Sequence, residues 1–193
     1  NHIGHFLLTK ELMSLMSDVE GARFVSLSSS AHSLTPILWD DIHFENNTYD
    51  KWLAYGQSKT ASSLIAIEFN NRMKDKGVNG FSVHPGGIMT PLQRHLESDE
   101  MVALGWLKED GSPSDLAKNF FKTTSQGAAT TLWCATNPKL NDIGGVFCED
   151  CDIAKRKSEI DESLQRYFGV ADWAVDSDEA TKLWEISEQM LLS

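Results

Sequence analysis

Thirteen glycines are scattered through this 193-residue chain, yet none falls in a G-x-G-x-x-G run or a comparable glycine-rich loop. The chain therefore carries no ready-made cradle of backbone N–H groups for a phosphate. Positive charge is scarce as well: 17 lysines and arginines stand against 28 acidic residues, for a net charge of −11. That balance argues against nucleic acid or an anionic membrane surface as the main partner. Cysteine is limited to Cys134, Cys148 and Cys151, an odd number that points to a reducing, cytoplasmic setting rather than a disulfide framework. Cys148-x-x-Cys151 supplies two of the four ligands a structural zinc wants, and the six histidines form no H-E-x-x-H pattern, so no metal site is expected. No apolar run is long enough to cross a bilayer, and no signal-peptide pattern is present. An initiator methionine is also missing. The chain opens with "NHIGHFLLTKELMSLM", already inside an amphipathic helical pattern, and reads as a piece of a longer protein.

What remains is 41% hydrophobic and long enough for one soluble domain with its own core. Apolar residues recur at helical spacing over residues 1 to about 18. "ARFVSLSSS" (22–30) predicts a buried strand running into a polar loop, and a long helix follows over about 52–76, stopped near Gly77. "VNGFSVHPGG" (78–87) predicts a second strand and "GGVFCEDC" (144–151) a third. Between them lie an irregular stretch of short helices (88–120) and a small-residue helix (124–136). The tail, with Asp and Ser as cap candidates, predicts a last helix with Leu183, Trp184 and Ile186 on its apolar face. Helices alternating with strands give an α/β fold, a parallel sheet with helices on its faces.

The helix beginning "AYGQSKTASSLIAIEF" places Tyr55 and Lys59 four residues apart, on one face. A free phenol titrates near pH 10, and an adjacent ammonium favours its ionised form, so such a pair is a workable general acid/base. Neither Tyr49 nor Tyr167 has a lysine at that spacing. The first strand ends in the hydroxyls of "SLSSSAH" and the second in "HPGGIMT", with glycines suited to close approach of a ligand and Thr90 just beyond. Open parallel sheets bind ligands at the carboxyl ends of their strands, so these groups converge on one edge. His84, beside Pro85, reads as structural.

In these segments the chain resembles the short-chain dehydrogenase/reductase family, within its retinol-dehydrogenase and WW-domain-oxidoreductase-like branch. The matching stretches are "NHIGHFLLT", "VSLSSSAH", "WDDIHFE", "YDKWLAYGQSKTA", "VHPGGIMT", "QGAATTLWCA", "GGVFCEDC" and "KLWEISE", in family order over nearly the whole chain. The resemblance implies the C-terminal portion of a Rossmann-like, doubly wound parallel sheet, three strands with flanking helices, whose N-terminal glycine-rich half is absent. Residues 1–193 would then be a single partial domain. It implies an NAD(P)-dependent oxidoreductase interconverting an alcohol and a carbonyl on a fairly apolar small molecule, with NADP favoured over NAD by resemblance only.

By motif, Tyr55 would exchange the substrate proton, Lys59 would hold the cofactor ribose and assist the phenol, and Ser29 would hydrogen-bond the substrate carbonyl. Ser28 and Ser30 remain rivals for the serine role. Asn1 matches the asparagine that holds a water in the family's proton relay. Pro85, Gly86, Ile88 and Thr90 would line the cofactor, together with Tyr55 and Lys59. The stretch 88–120 reads as a substrate-side lid, with Met89, Leu92, Leu96 and Trp106 toward the substrate. The enzyme class belongs to the parent protein. The piece alone is expected to bind cofactor poorly and to self-associate through an unpaired strand edge. The alternatives are a non-catalytic dinucleotide-sensing or interaction module and an inert structural fragment.

Overall fold

The computed structural model describes residues 1–17 and 19–192; residue 18, where the first helix was expected to end, lies outside the described residues. Helix α1 (Ile3–Met16) buries Phe6 and Thr9 and leads to strand β1 (Arg23–Leu27). A 3-10 turn (Ser30–Leu34) and an irregular loop precede α2 (Lys51–Met73), whose start is capped by the Asp50 carboxylate accepting the N–H groups of Trp52 and Leu53. α2 tightens into a 3-10 turn (Lys74–Lys76) and stops at Gly77, whose φ of 72° is one that glycine adopts without strain. Strand β2 (Asn79–His84), the two-residue strand β3 (Gly87–Ile88), α3 (Ser98–Ala103), α4 (Asp115–Phe120), β4 (Phe121–Lys122) and α5 (Thr124–Thr136) follow. Strands β5 (Val146–Glu149) and β6 (Asp152–Ile153) and helix α6 (Ser177–Met190) complete the order.

The main sheet runs β1-β2-β5-β6. The three expected strands are β1, β2 and β5, and they pair in parallel, Val25 beside Phe81 and Phe81 beside Val146. The count of three needs correcting, because β6 returns antiparallel to β5. The turn between them places Asp150 (φ 50°) and Cys151 (φ 59°) in the left-handed region. A two-residue hairpin needs that geometry, but without Asn-Gly or Asp-Gly nothing in the sequence announces it. A second pair, β3 with β4, joins Gly87 to Phe121 and Ile88 to Lys122, so the excursion between them is closed at its base.

Side-chain alternation along β2 divides the core. Phe81 and Val83 pack with Cys134 of α5, Leu140 and Cys148 on one face. Gly80 points at α2 on the other, where a Cβ would come within 2.4 Å of the Ala66 carbonyl oxygen. Phe6, Ile65, Phe69, Met73 and Trp184 extend this second layer outward across α1 and α6. The buried Glu68 carboxylate is answered by Arg72 at 2.8 Å and the Thr181 hydroxyl at 3.0 Å, which ties α6 to α2 without leaving a charge alone.

His32, fully buried in the turn after β1, holds the C-terminal segment to that turn. Its Nδ1 lies 2.6 Å from the Ser29 carbonyl oxygen and its Nε2 accepts the Ala171 N–H at 3.1 Å, an arrangement that fixes the neutral Nδ1–H tautomer. The Trp173 indole N–H donates to the His32 carbonyl at 3.1 Å. Burial pulls the His32 pKa from 6.5 down to about 4, and burial does the same at His2 and His84. These folded values lie below the unfolded one, so the unfolded chain takes up protons first as pH falls. Stability is therefore complete above about pH 6.5 and is lost progressively toward about pH 4. His32→Phe should cost about 1–3 kcal/mol near pH 8 by stranding the Ala171 N–H, and its melting temperature should fall less steeply on acidification. Thermal melts of both proteins between about pH 8 and pH 5 check this; parallel declines would contradict it.

Candidate active site

The carboxyl ends of β1 and β2 and the first turns of α2 meet at one edge of the sheet. Gly56, the residue after Tyr55, lets the turn after β1 come close: a Cβ there would lie 2.9 Å from the Ala31 carbonyl oxygen and 3.0 Å from the Leu34 Cβ. The serine-bearing turn and the tyrosine-bearing helix are thus in direct contact. Lys59 stretches along α2 until its ammonium lies 5.5 Å from the centre of the Tyr55 ring and donates to the Leu27 carbonyl at 3.1 Å. Burial pulls the Lys59 ammonium below its ordinary range. Among the described residues the Tyr55 hydroxyl, on a half-buried side chain, has no hydrogen-bond partner.

The three serines differ in the contacts they already make, and the hydroxyl of Ser28 is the one that α2 has taken. Ser28, 2% exposed, donates to the Lys59 carbonyl at 2.8 Å and accepts from the Ser63 hydroxyl at 3.0 Å, so it is committed to the seam between β1 and α2. Ser29 caps the 3-10 turn by accepting the Ala31 N–H at 3.2 Å, which leaves its own O–H proton free to donate. Ser30 offers its backbone N–H to His84 Nδ1 at 3.1 Å. His84 adds a side-chain tie between the ends of β1 and β2, beside the Ser28 N–H that donates to the Val83 carbonyl at 2.8 Å, and burial pulls its pKa down to about 4. Its interest was legible only as a histidine at a strand end, with nothing in the sequence to say which backbone N–H it would take.

Asn1 is not brought to this edge by any hydrogen bond: it is exposed, its carbonyl lies 3.3 Å from His5 Nδ1, and His2 beside it is bonded to Ser187 of α6 at 2.6 Å. The residues after β2 are occupied in ways the sequence did not suggest. Gly86 (φ 89°) is covered by the Lys122 side chain and Gly87 by the Phe121 ring, both within 2.9 Å of where a Cβ would stand. Their lack of a side chain makes room for Lys122 and Phe121. Ile88 presses onto Gly127 of α5, where a Cβ would lie 2.1 Å from its Cδ1. Thr90 caps the 3-10 turn Pro91–His95 in a reciprocal box with Gln93. Pro85 is half-buried, Met89 and Leu92 are exposed, Leu96 is half-buried, and Trp106 stands edge-on to Phe121 with ring centres 5.6 Å apart.

Cys148 is buried in β5 beside Cys134, and Cys151 is exposed in the hairpin turn. Among the described residues no helix is long and apolar enough to cross a membrane.

No protein-family model matches the chain. Whole proteins do. It is 37% identical over 191 residues to a Streptomyces lividans protein called "Probable oxidoreductase", covering 99% of this chain and 62% of the relative. It is 38% identical over 195 residues to the short-chain dehydrogenase/reductase prx1 of Penicillium roqueforti, covering 99% and 54%. Against retinol dehydrogenase 12 of Mus musculus the identity is 32% over 191 residues, covering 99% and 52%. A crystal structure of an uncharacterized protein from Mycobacterium paratuberculosis superposes with a TM-score of 0.61 at 26% identity, over 100% of this chain and 57% of its own. The chain thus spans between 52% and 62% of the length of these curated relatives. Its partial Rossmann-like sheet and its end-to-end identity agree: over its whole length the chain is similar to short-chain dehydrogenases/reductases, retinol dehydrogenases among them.

Proposed function

We propose that the complete protein interconverts an alcohol and a carbonyl on an apolar small molecule with a nicotinamide dinucleotide, and that Tyr55 handles the proton. The observation that carries this reading is the pairing of Tyr55 and Lys59, the ammonium 5.5 Å from the ring centre, where α2 meets the serine turn. Kinship with oxidoreductases, two of them named retinol dehydrogenases, favours an apolar alcohol or aldehyde as the substrate class.

The fit to the cofactor is good at one end. An ammonium has three N–H donors, and Lys59 spends one on the Leu27 carbonyl, so two remain for the hydroxyls of a ribose. Tyr55 would share that ribose, and Pro85 and Thr90 would border the ring end, with Gly86 and Ile88 shaping the backbone between. The other end finds no glycine-rich cradle in this sequence, so the 193-residue piece alone is proposed to bind dinucleotide poorly. The preference for NADP over NAD rests on family resemblance alone. When bound, the dinucleotide supplies the hydride chemistry.

The chain's own residues supply the rest. In the reducing direction Tyr55 gives its phenolic proton to the carbonyl oxygen, and in the oxidising direction it takes the proton back. Lys59 places positive charge where the phenolate forms, and Ser29 donates its free hydroxyl proton to the same oxygen and orients it. Asn1 enters as the holder of a relay water on resemblance only. The excursion 88–120, with Met89 and Leu92 exposed, Leu96 and Trp106 half-buried, is proposed as the substrate-side cover.

Self-association belongs to the same proposal. β1 ends the sheet on one side, and its Leu27 is 52% exposed, so a second chain could pair there. Light scattering on the 193-residue piece should show a dimer or larger; a monodisperse monomer would contradict this. In the complete protein, Tyr55→Phe should lower turnover by about 10²–10⁴, with the melting temperature unchanged. Full turnover in that variant would favour a non-catalytic, dinucleotide-sensing member instead.

A further inference from the structure

The excursion between β3 and β4 is fastened at two places above its closed base. The first is Glu100, in α3. Its carboxylate accepts the Trp52 indole N–H at 3.0 Å and lies 2.7 Å from the Lys51 ammonium, both on the first turn of α2. The Trp52 ring in turn meets the Tyr55 ring edge-on, centroids 6.5 Å apart at 79°. The second fastening is at the far end. Phe120 stacks on Tyr167 with centroids 5.0 Å apart, and Arg166 donates to the Leu104 carbonyl at 3.4 Å.

α3 itself has six residues, none of them buried, so no core contact holds it in place. The Lys51 ammonium beside Glu100 holds its carboxyl below the usual carboxylate range, so the clip stays charged at neutral pH. Lys51 is 54% exposed and Glu100 21%, and partly solvated ion pairs hold weakly. Such a tie is strong enough to place a side chain and weak enough to open.

We propose that Glu100 is a positioning residue for the site at Tyr55: it fixes the Trp52 indole beside the phenol and clips the 98–107 segment against it, so that an apolar substrate is seated on Trp52. This rests on the reading of Tyr55 as the proton-handling group. Trp52 offers the substrate a flat apolar wall whose single polar atom is already satisfied by Glu100, so seating an apolar molecule there strands no donor. The contact joins residues 48 apart in the chain, which no motif signals.

Hydrogen exchange on the 193-residue chain without cofactor tests the clip. Glu100→Ala should speed amide exchange over 101–107 about tenfold and leave β2 and α5 unchanged. Glu100→Gln keeps an acceptor for the indole and should give a smaller rise; it carries the test if the alanine variant fails to fold. In the complete protein, with decanal as carbonyl probe, Glu100→Ala should raise KM about tenfold and move kcat less than twofold. Unchanged exchange over 101–107 overturns the clip, and faster exchange with an unchanged KM overturns the seat on Trp52. An active Tyr55→Phe protein would overturn the catalytic reading separately, since the exchange result does not depend on it.

Discussion

In the seam between β1 and α2, the Ser28 hydroxyl donates to the Lys59 carbonyl at 2.8 Å and accepts from Ser63 at 3.0 Å. Each such bond contributes only about 1 kcal/mol net, but one is buried and the other partly so, and a slipped seam would strand three polar groups at once. The bond therefore sets the height of α2 against the strand ends. With Lys59 at that height, its side chain reaches the Leu27 carbonyl, Tyr55 comes one turn further along, and Gly56 falls where the Ser29 turn must pass. The candidate site is a consequence of this register. Without it, the same residues would be a helix and a loop with no common edge.

Around that edge the polar groups are mostly neutral and already paired. His32 and His84 are buried and uncharged, and each accepts a backbone N–H, from Ala171 and Ser30. Lys59 is the cation that reaches the Tyr55 ring, and burial disfavours its charge. A cation held with few competing partners is well placed to answer a charge that appears during a reaction, because little reorganisation is needed. The same histidines that make the site rigid also make the fold sensitive to acid.

Much of this was legible in the sequence because it rests on local rules. The helix 124–136 was bounded by its composition and matches α5 to the residue, and Gly77 ends the long helix as a stop should. The three parallel strands followed from short apolar runs, the first ending in serines and the second in Pro85-Gly86-Gly87. What was not legible depends on contacts distant in sequence. The hairpin to β6 turns on two non-glycine residues with positive φ, and the β3–β4 pair is two residues long. Gly86 and Gly87 announced an approach of something, and the structure shows it to be Lys122 and Phe121. Three adjacent serines look alike as letters and differ only in which hydroxyl the helix has taken. Asn1 matched by motif, yet it is exposed, with its carbonyl beside His5 of α1.

Tyr55 and Lys59 are proposed to face a dinucleotide ribose together. A crystal structure of the complete protein with bound NADP tests it most directly. The ribose hydroxyls should lie within about 3 Å of both the Tyr55 hydroxyl and the Lys59 ammonium. A ribose placed elsewhere, with the Lys59 donors turned away from it, would contradict the account.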